Sequence, residues 1–115
     1  MPLEAAAALW DAERAARLVT EFVSGNTFED YESNALLRSA VERQFEVLGE
    51  ALNRVKRYDE RLASQVPDLA KVVAFRNVIA HGYDVLDNRR VWDYATNFVG
   101  DLGARLQDLL SEAAD

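Results

Sequence analysis

Apolar residues in this chain recur three and four positions apart, the spacing that lines one face of an α-helix. Leu9, Ala12, Ala16, Val19 and Val23 form such a stripe from about Leu3 to Ser24, and "SGN" closes it with Gly25 on the C-cap side. In "TFED", Thr27 and Asp30 signal a short turn of helix. Leu37, Val41, Phe45, Leu48, Leu52 and Val55 then mark a second long helix from about Ser33 to Tyr58. "DERLASQVPD" reads as a connector with one helical turn. Asp68, directly after Pro67, is placed to cap a third helix that runs to Ala80 or His81 and ends at Gly82. "DVLDN" is a loop. Val91, Trp92, Ala95, Phe98, Val99, Leu102, Leu106, Leu109 and Leu110 predict one last helix from about Arg89 to Ala113. The β-branched runs "VVAF" and "NVI" fall in helical spacing, so no strand is expected. Four principal helices with short connections predict an all-α antiparallel four-helix bundle with an additional short helical turn.

Length and charge narrow the picture. A chain of 115 residues, half of them apolar, fits a single domain over 1–115. A chain this short buries a modest share of its surface, so an interface with a second copy would add to its stability. Its 20 acids against 13 bases give a net charge of −7, which argues against sequence-independent binding to long duplex nucleic acid. A small basic cleft on an acidic body remains compatible with that balance. The absence of cysteine rules out disulfides and thiolate chemistry, and a single histidine rules out multi-histidine metal motifs. The start has neither the basic region nor the unbroken apolar run of a signal peptide, and no stretch is long enough to span a membrane. A cytoplasmic protein is expected.

The third helix contains the one feature that breaks the pattern. With about 100° per residue from Leu69, the residues Val72, Val73, Phe75, Ile79 and Ala80 cover one arc of roughly 160°. Arg76 falls near the middle of that arc, at about 340°, while Asn77 and His81, four apart, share a strip at about 80° to 120°. A guanidinium among apolar residues is costly unless it is paired, or unless the arc faces a cleft or a second subunit. The plain reading is an arginine salt-bridged to another helix or extended to solvent along its stem. His81 could equally cap the helix end, and Tyr83 could be a rim aromatic. Arg54, Lys56, Arg57 and Arg61 could guide an RNA backbone but read first as a solvated helix end. Glu46 and Glu50, a carboxylate pair that could suggest a metal, read first as a solvated or salt-bridged face.

The stretch Arg76-Asn77-x-x-x-His81-x-Tyr83 resembles the R-x4-6-H motif of HEPN domains, in the R-x4-H-x-Y form of HepT-type toxins. "FVSGNTFEDY", "VERQFEVLGEALNRV" with its Gly49-Glu50-Ala51 step, and Val91-Trp92 extend the similarity over about Trp10 to Leu110. The resemblance implies a HEPN homodimer whose motif helices line one cleft. It implies a metal-independent endoribonuclease, with no cofactor, acting as the toxin of a toxin–antitoxin pair. The implied antitoxin is a minimal nucleotidyltransferase that silences the toxin by AMPylation, transferring AMP to the motif tyrosine, here Tyr83.

The chemistry suits those residue types. Cleavage of RNA without a metal needs a base for the 2′-hydroxyl, an acid for the 5′-oxygen, and positive charge for the phosphorane-like transition state. Histidine can take either proton role near neutral pH, and arginine can hold two phosphate oxygens while staying charged. Two-fold symmetry would supply the second histidine that separate acid and base roles require. Asn77, one turn before His81, is placed to orient the ring or the phosphate. Arg76 and His81 lie about 140° apart on an ideal helix, so unwinding at Gly82 or a contribution from a second copy is expected. Two other readings are a non-catalytic HEPN module serving a nucleotidyltransferase, and a plain dimeric scaffold.

Overall fold

A computed structural model describes residues 1–81 and 87–114 and is helical throughout its described elements. The elements are α1 (Leu3–Val23), α2 (Phe28–Ser33), α3 (Ala35–Tyr58), α4 (Glu60–Ala63), α5 (Leu69–His81), α6 (Asn88–Asn97) and α7 (Val99–Ala114). α3 is the middle of the molecule, with α1 on one side and α5 on the other; α7 covers the far side of α1. Asp11, early in α1, meets Arg54, late in α3, at 3.0 Å, so the two helices run antiparallel. The principal extents are 43 × 29 × 19 Å. With packed helices 8–10 Å apart, the shortest extent leaves room for about two layers.

Local chemistry explains most boundaries. Thr27 and Asp30 form a reciprocal capping box: Asp30 N–H donates to Thr27 Oγ1 at 3.1 Å and Thr27 N–H to Asp30 Oδ2 at 2.9 Å. Asn34 starts α3 by accepting from Leu37 N–H, and Asp59 starts α4 by accepting from Leu62 N–H. Asp68 opens α5 through its backbone: its carbonyl accepts from Lys71 and Val72, while its carboxylate lies 3.9 Å from Lys71 Nζ. Its φ of 56° is a left-handed conformation that aspartate tolerates better than most side chains.

The last helix differs from its expectation. The apolar pattern ran unbroken from Val91 to Leu110, but Phe98 interrupts it, with φ −117° and ψ −45°, between α6 and α7. Thr96 Oγ1 donates to the Trp92 carbonyl at 2.8 Å, a back-bond that bends helices. Gly100 and Gly103 weaken the next turn further. Periodicity survives the break because Phe98 N–H still reaches Tyr94 and Leu102 N–H still reaches Phe98.

The core is apolar throughout: among the described residues, no polar or charged side chain is classed as fully buried apart from tyrosine and tryptophan. Ala5, Ala8, Ala12, Ala15 and Ala16 turn inward along α1 and let its neighbours come close. Leu9, Val19, Val41, Leu48, Leu52, Leu102 and Leu106 fill the space between them, each side chain contributing ~1.5–3 kcal/mol on burial. A second, aromatic part of the core joins α3, α5 and α6. Phe45 meets Phe75 edge-on at 5.2 Å, and Phe75 stacks on Tyr94 at 4.7 Å and 11°. That stack anchors the inner face of α5.

Candidate functional site

α5 is held by one face only. Val72, Phe75 and Ile79 are buried, which accounts for about half of the arc the sequence predicts. Leu69 and Val73 are half-buried, and Ala80 is exposed. Arg76 therefore stands on the border of the monomer's core, with apolar surface continuing beyond it into solvent. The expected apolar arc is real as a pattern, but this chain alone covers only part of it.

The geometry of Arg76 follows from what lies beneath it. Gly49 of α3 is buried, and a Cβ added there would stand 2.3 Å from Arg76 Cβ and 2.7 Å from Arg76 Cγ. The stem of the arginine thus lies directly on the α3 backbone. Its Nε is buried and has no hydrogen-bond partner among the described residues, while its Nη1 donates to Asn77 Oδ1 at 3.1 Å. Neighbouring positions on a helix point about 100° apart, so this bond draws the guanidinium round the helix toward the strip that Asn77 shares with His81. The angular gap between Arg76 and His81 is narrowed by the arginine side chain itself. Among the described residues, no carboxylate forms an ion pair with Arg76. The plain salt-bridge reading therefore fails for them, and a stem buried behind a surface-facing tip is what the structure shows.

His81 is the last residue of α5 and is exposed. Gly82 and Tyr83 lie outside the described residues, and so does the local unwinding expected at Gly82. The other sequence candidates separate from this site. Arg54 pairs with Asp11, Glu46 with Arg43 at 3.7 Å, and Lys56, Arg57, Arg61 and Glu50 are exposed. No cluster of three or more potential metal ligands occurs among the described residues, and no described helix is long and apolar enough to cross a membrane.

Two features of the neighbourhood were not legible as functional in the sequence. One is Gly49, whose place in phase with Phe45, Leu48 and Leu52 was a signal, because glycine inside a helix usually has a packing reason. The other is a groove of about 400 Å³ between α5 and α6, lined by Lys71, Ala74, Phe75, Val78, Arg90 and Tyr94. Arg90 sits 5.5 Å from the Phe75 ring centre, which puts a cation over the aromatic floor. Burial raises the Tyr94 phenol above its usual range, with Asp68 adding to the effect and Arg90 opposing it. Only the fold brings Lys71 and Arg90 to one groove.

Comparison with known proteins places this geometry in a family. The family described as "Ribonuclease HepT-like" matches residues 12–109. The chain is 27% identical over 101 residues to the protein named "Probable ribonuclease HepT" of Thermococcus cleftensis, covering 88% of this chain and 91% of that one. It is 25% identical over 92 residues to "Putative RNase TTE0752" of Caldanaerobacter subterraneus subsp. tengcongensis, covering 80% and 81%. No solved structure matches it. With nearly the whole bundle matched, from inside α1 to the end of α7's buried stripe, this chain belongs to the HepT-like ribonuclease family.

Proposed function

We propose that this protein is a metal-independent endoribonuclease, the toxin of a type II toxin–antitoxin pair, which cuts RNA at a cleft between two copies of the chain. The observation that carries the reading is the posture of Arg76: a guanidinium without a carboxylate partner among the described residues, its stem buried, its tip drawn toward the strip that carries His81. Such a group is preorganised to receive an anion, and its charge is worth more where water is partly excluded. The family and the ribonuclease names of the two relatives support RNA as that anion.

In this reading the 2′-hydroxyl attacks the adjacent phosphorus as one His81 takes its proton. The bond from phosphorus to the 5′-oxygen breaks, and the symmetry-related His81 gives that oxygen a proton. The products are a 2′,3′-cyclic phosphate and a free 5′-hydroxyl. Arg76 holds the non-bridging oxygens, and Asn77 holds Arg76. The half-covered apolar border of α5, Leu69, Val73 and Ala80, supports a seam with a second copy, which brings both histidines to one cleft. Lys71 and Arg90 supply backbone charge along the groove between α5 and α6.

Silencing follows from charge. A minimal nucleotidyltransferase antitoxin would transfer AMP from ATP to the Tyr83 hydroxyl, two residues beyond His81 in sequence, with pyrophosphate leaving. The added phosphate and nucleotide would compete with RNA for Arg76. The test uses purified protein free of AMP and single-stranded RNA in chelator. Cleavage to 2′,3′-cyclic ends, lost in His81→Ala and resistant to the antitoxin in Tyr83→Phe, is the expected result. Equal cleavage by His81→Ala and wild type would falsify the mechanism. Absence of cleavage in both, with tight binding to a nucleotidyltransferase, would instead favour a non-catalytic module.

A further inference from the structure

Gly49 sits in the interior of α3, in phase with the core positions Phe45, Leu48 and Leu52. Alanine is the better helix former at such a place, so the glycine sacrifices helix propensity. The other helical glycines do not explain themselves the same way. A Cβ at Gly100 would meet nothing within 4 Å, and one at Gly103 would make an ordinary contact of 3.4 Å with Ala16 Cβ. At Gly49 alone among them, a Cβ would strike another residue below 3.0 Å, and that residue is Arg76.

We infer that Gly49 is a positioning residue for the reaction: its missing side chain is the slot that seats the Arg76 stem and thereby aims the guanidinium. The inference rests on the ribonuclease reading above. The struck atoms are Arg76 Cβ and Cγ, the first two carbons of the stem, so the far end of a flexible chain cannot absorb the clash. With those carbons on α3, Nε is enclosed and the free end is turned to Asn77 Oδ1. Two contacts then define the guanidinium, Gly49 beneath and Asn77 beside. Val72 O would lie 3.4 Å from the added Cβ, an ordinary contact, so displacement is demanded only at Arg76, whose Cβ gives way with the α5 backbone that carries it. The methyl's effect is therefore directed at Arg76.

A double-mutant cycle on RNA cleavage tests this. Gly49→Ala is expected to lower kcat by about 10- to 100-fold, the scale of a misplaced catalytic group. In an Arg76→Gly background, where both struck carbons are gone, the same change is expected to alter activity less than about threefold. Full activity in Gly49→Ala, or an undiminished loss in the Arg76→Gly background, overturns the inference. Should Gly49→Ala fail to fold, the pair Gly49→Ala/Arg76→Gly removes both struck carbons and is expected to regain cooperative melting. Failure to regain it assigns Gly49 to general packing and also overturns the inference. Exchange of the Arg76 Nε proton, followed by nuclear magnetic resonance, separates this outcome from failure of the nuclease reading. Slow exchange in wild type and faster exchange in Gly49→Ala would establish the seating even in a protein that cuts no RNA; equal exchange denies it.

Discussion

α1 and α5 both approach their neighbours through small residues, but they enclose different things. Along α1, five inward alanines close a seam that is dry and apolar, and its neighbours α3 and α7 cover it from two sides. Along α5, one glycine on the facing helix admits an arginine, and the seam stays half open with a buried Nε that has no partner among the described residues. Both seams gain closeness from a missing side chain. In the first the closeness goes to dispersion and burial, which raise stability. In the second it goes to holding a charge where the fold gains nothing from it, since a buried donor left unpaired costs ~1–3 kcal/mol. Among the described arginines and lysines this occurs at Arg76 alone, the residue to which the proposed reaction assigns the phosphate.

The largest expected effect separates the two seams directly. Arg76→Ala or His81→Ala should reduce RNA cleavage by about 10²–10⁴-fold, the range for a proton-transfer or charge-stabilising group, with the thermal midpoint nearly unchanged. Midpoint and rate measured on the same preparation check it, and parallel losses in both would make α5 an ordinary packing element.

Next comes the α1 seam. Ala12→Leu forces extra methylenes into a fully buried site and should destabilise the fold by ~1–3 kcal/mol, seen as a lower midpoint in urea. Cleavage per folded molecule should be unchanged. A site that tolerates the leucine without loss would show that the alanine seam holds slack.

Arg76→Leu sharpens the contrast further. It keeps the first stem carbons and removes the unpaired donor, so stability should rise by about 1 kcal/mol while cleavage disappears. A fall in stability would mean that the guanidinium contributes to folding after all.

The smallest effect is a pH dependence on α3. Burial raises the Glu42 carboxyl above its usual range, Arg38 opposes this, and Glu46 adds to it. The folded state thus favours the protonated carboxyl and binds more protons than the unfolded chain just above pH 4.5, so stability declines as pH rises through that window. Glu42→Gln should raise the midpoint at neutral pH and give no gain below pH 4.5. A gain that persists in acid would point to packing as its cause.

Much of the fold was legible because helices advertise themselves through local periodicity and caps. Thr27 with Asp30 and the stripe from Leu37 to Val55 depend on residues close in sequence, and physics at that range is the same in any context. The division at Phe98 was not legible. A helix can bend there while every apolar residue keeps its phase, so the pattern carries no mark of the break. The candidate site divides the same way. Arg76, Asn77 and His81 stood out as chemistry misplaced on a helix wheel, and the family of the chain bears out the resemblance those residues carried.

By itself, then, the sequence determined that the chain is helical, where its long helices lie, and that an arginine interrupts the apolar face of one of them. Tertiary structure decided what that arginine does with its stem. Gly49 is 27 residues away from Arg76 along the chain, and no local rule links them. Their contact exists because α3 and α5 pack closely enough to exclude a Cβ, and closeness between helices is settled by all the side chains in the seam at once. For the same reason the sequence could place Arg76 on an apolar arc, while only the fold showed half of that arc uncovered and the guanidinium turned toward Asn77.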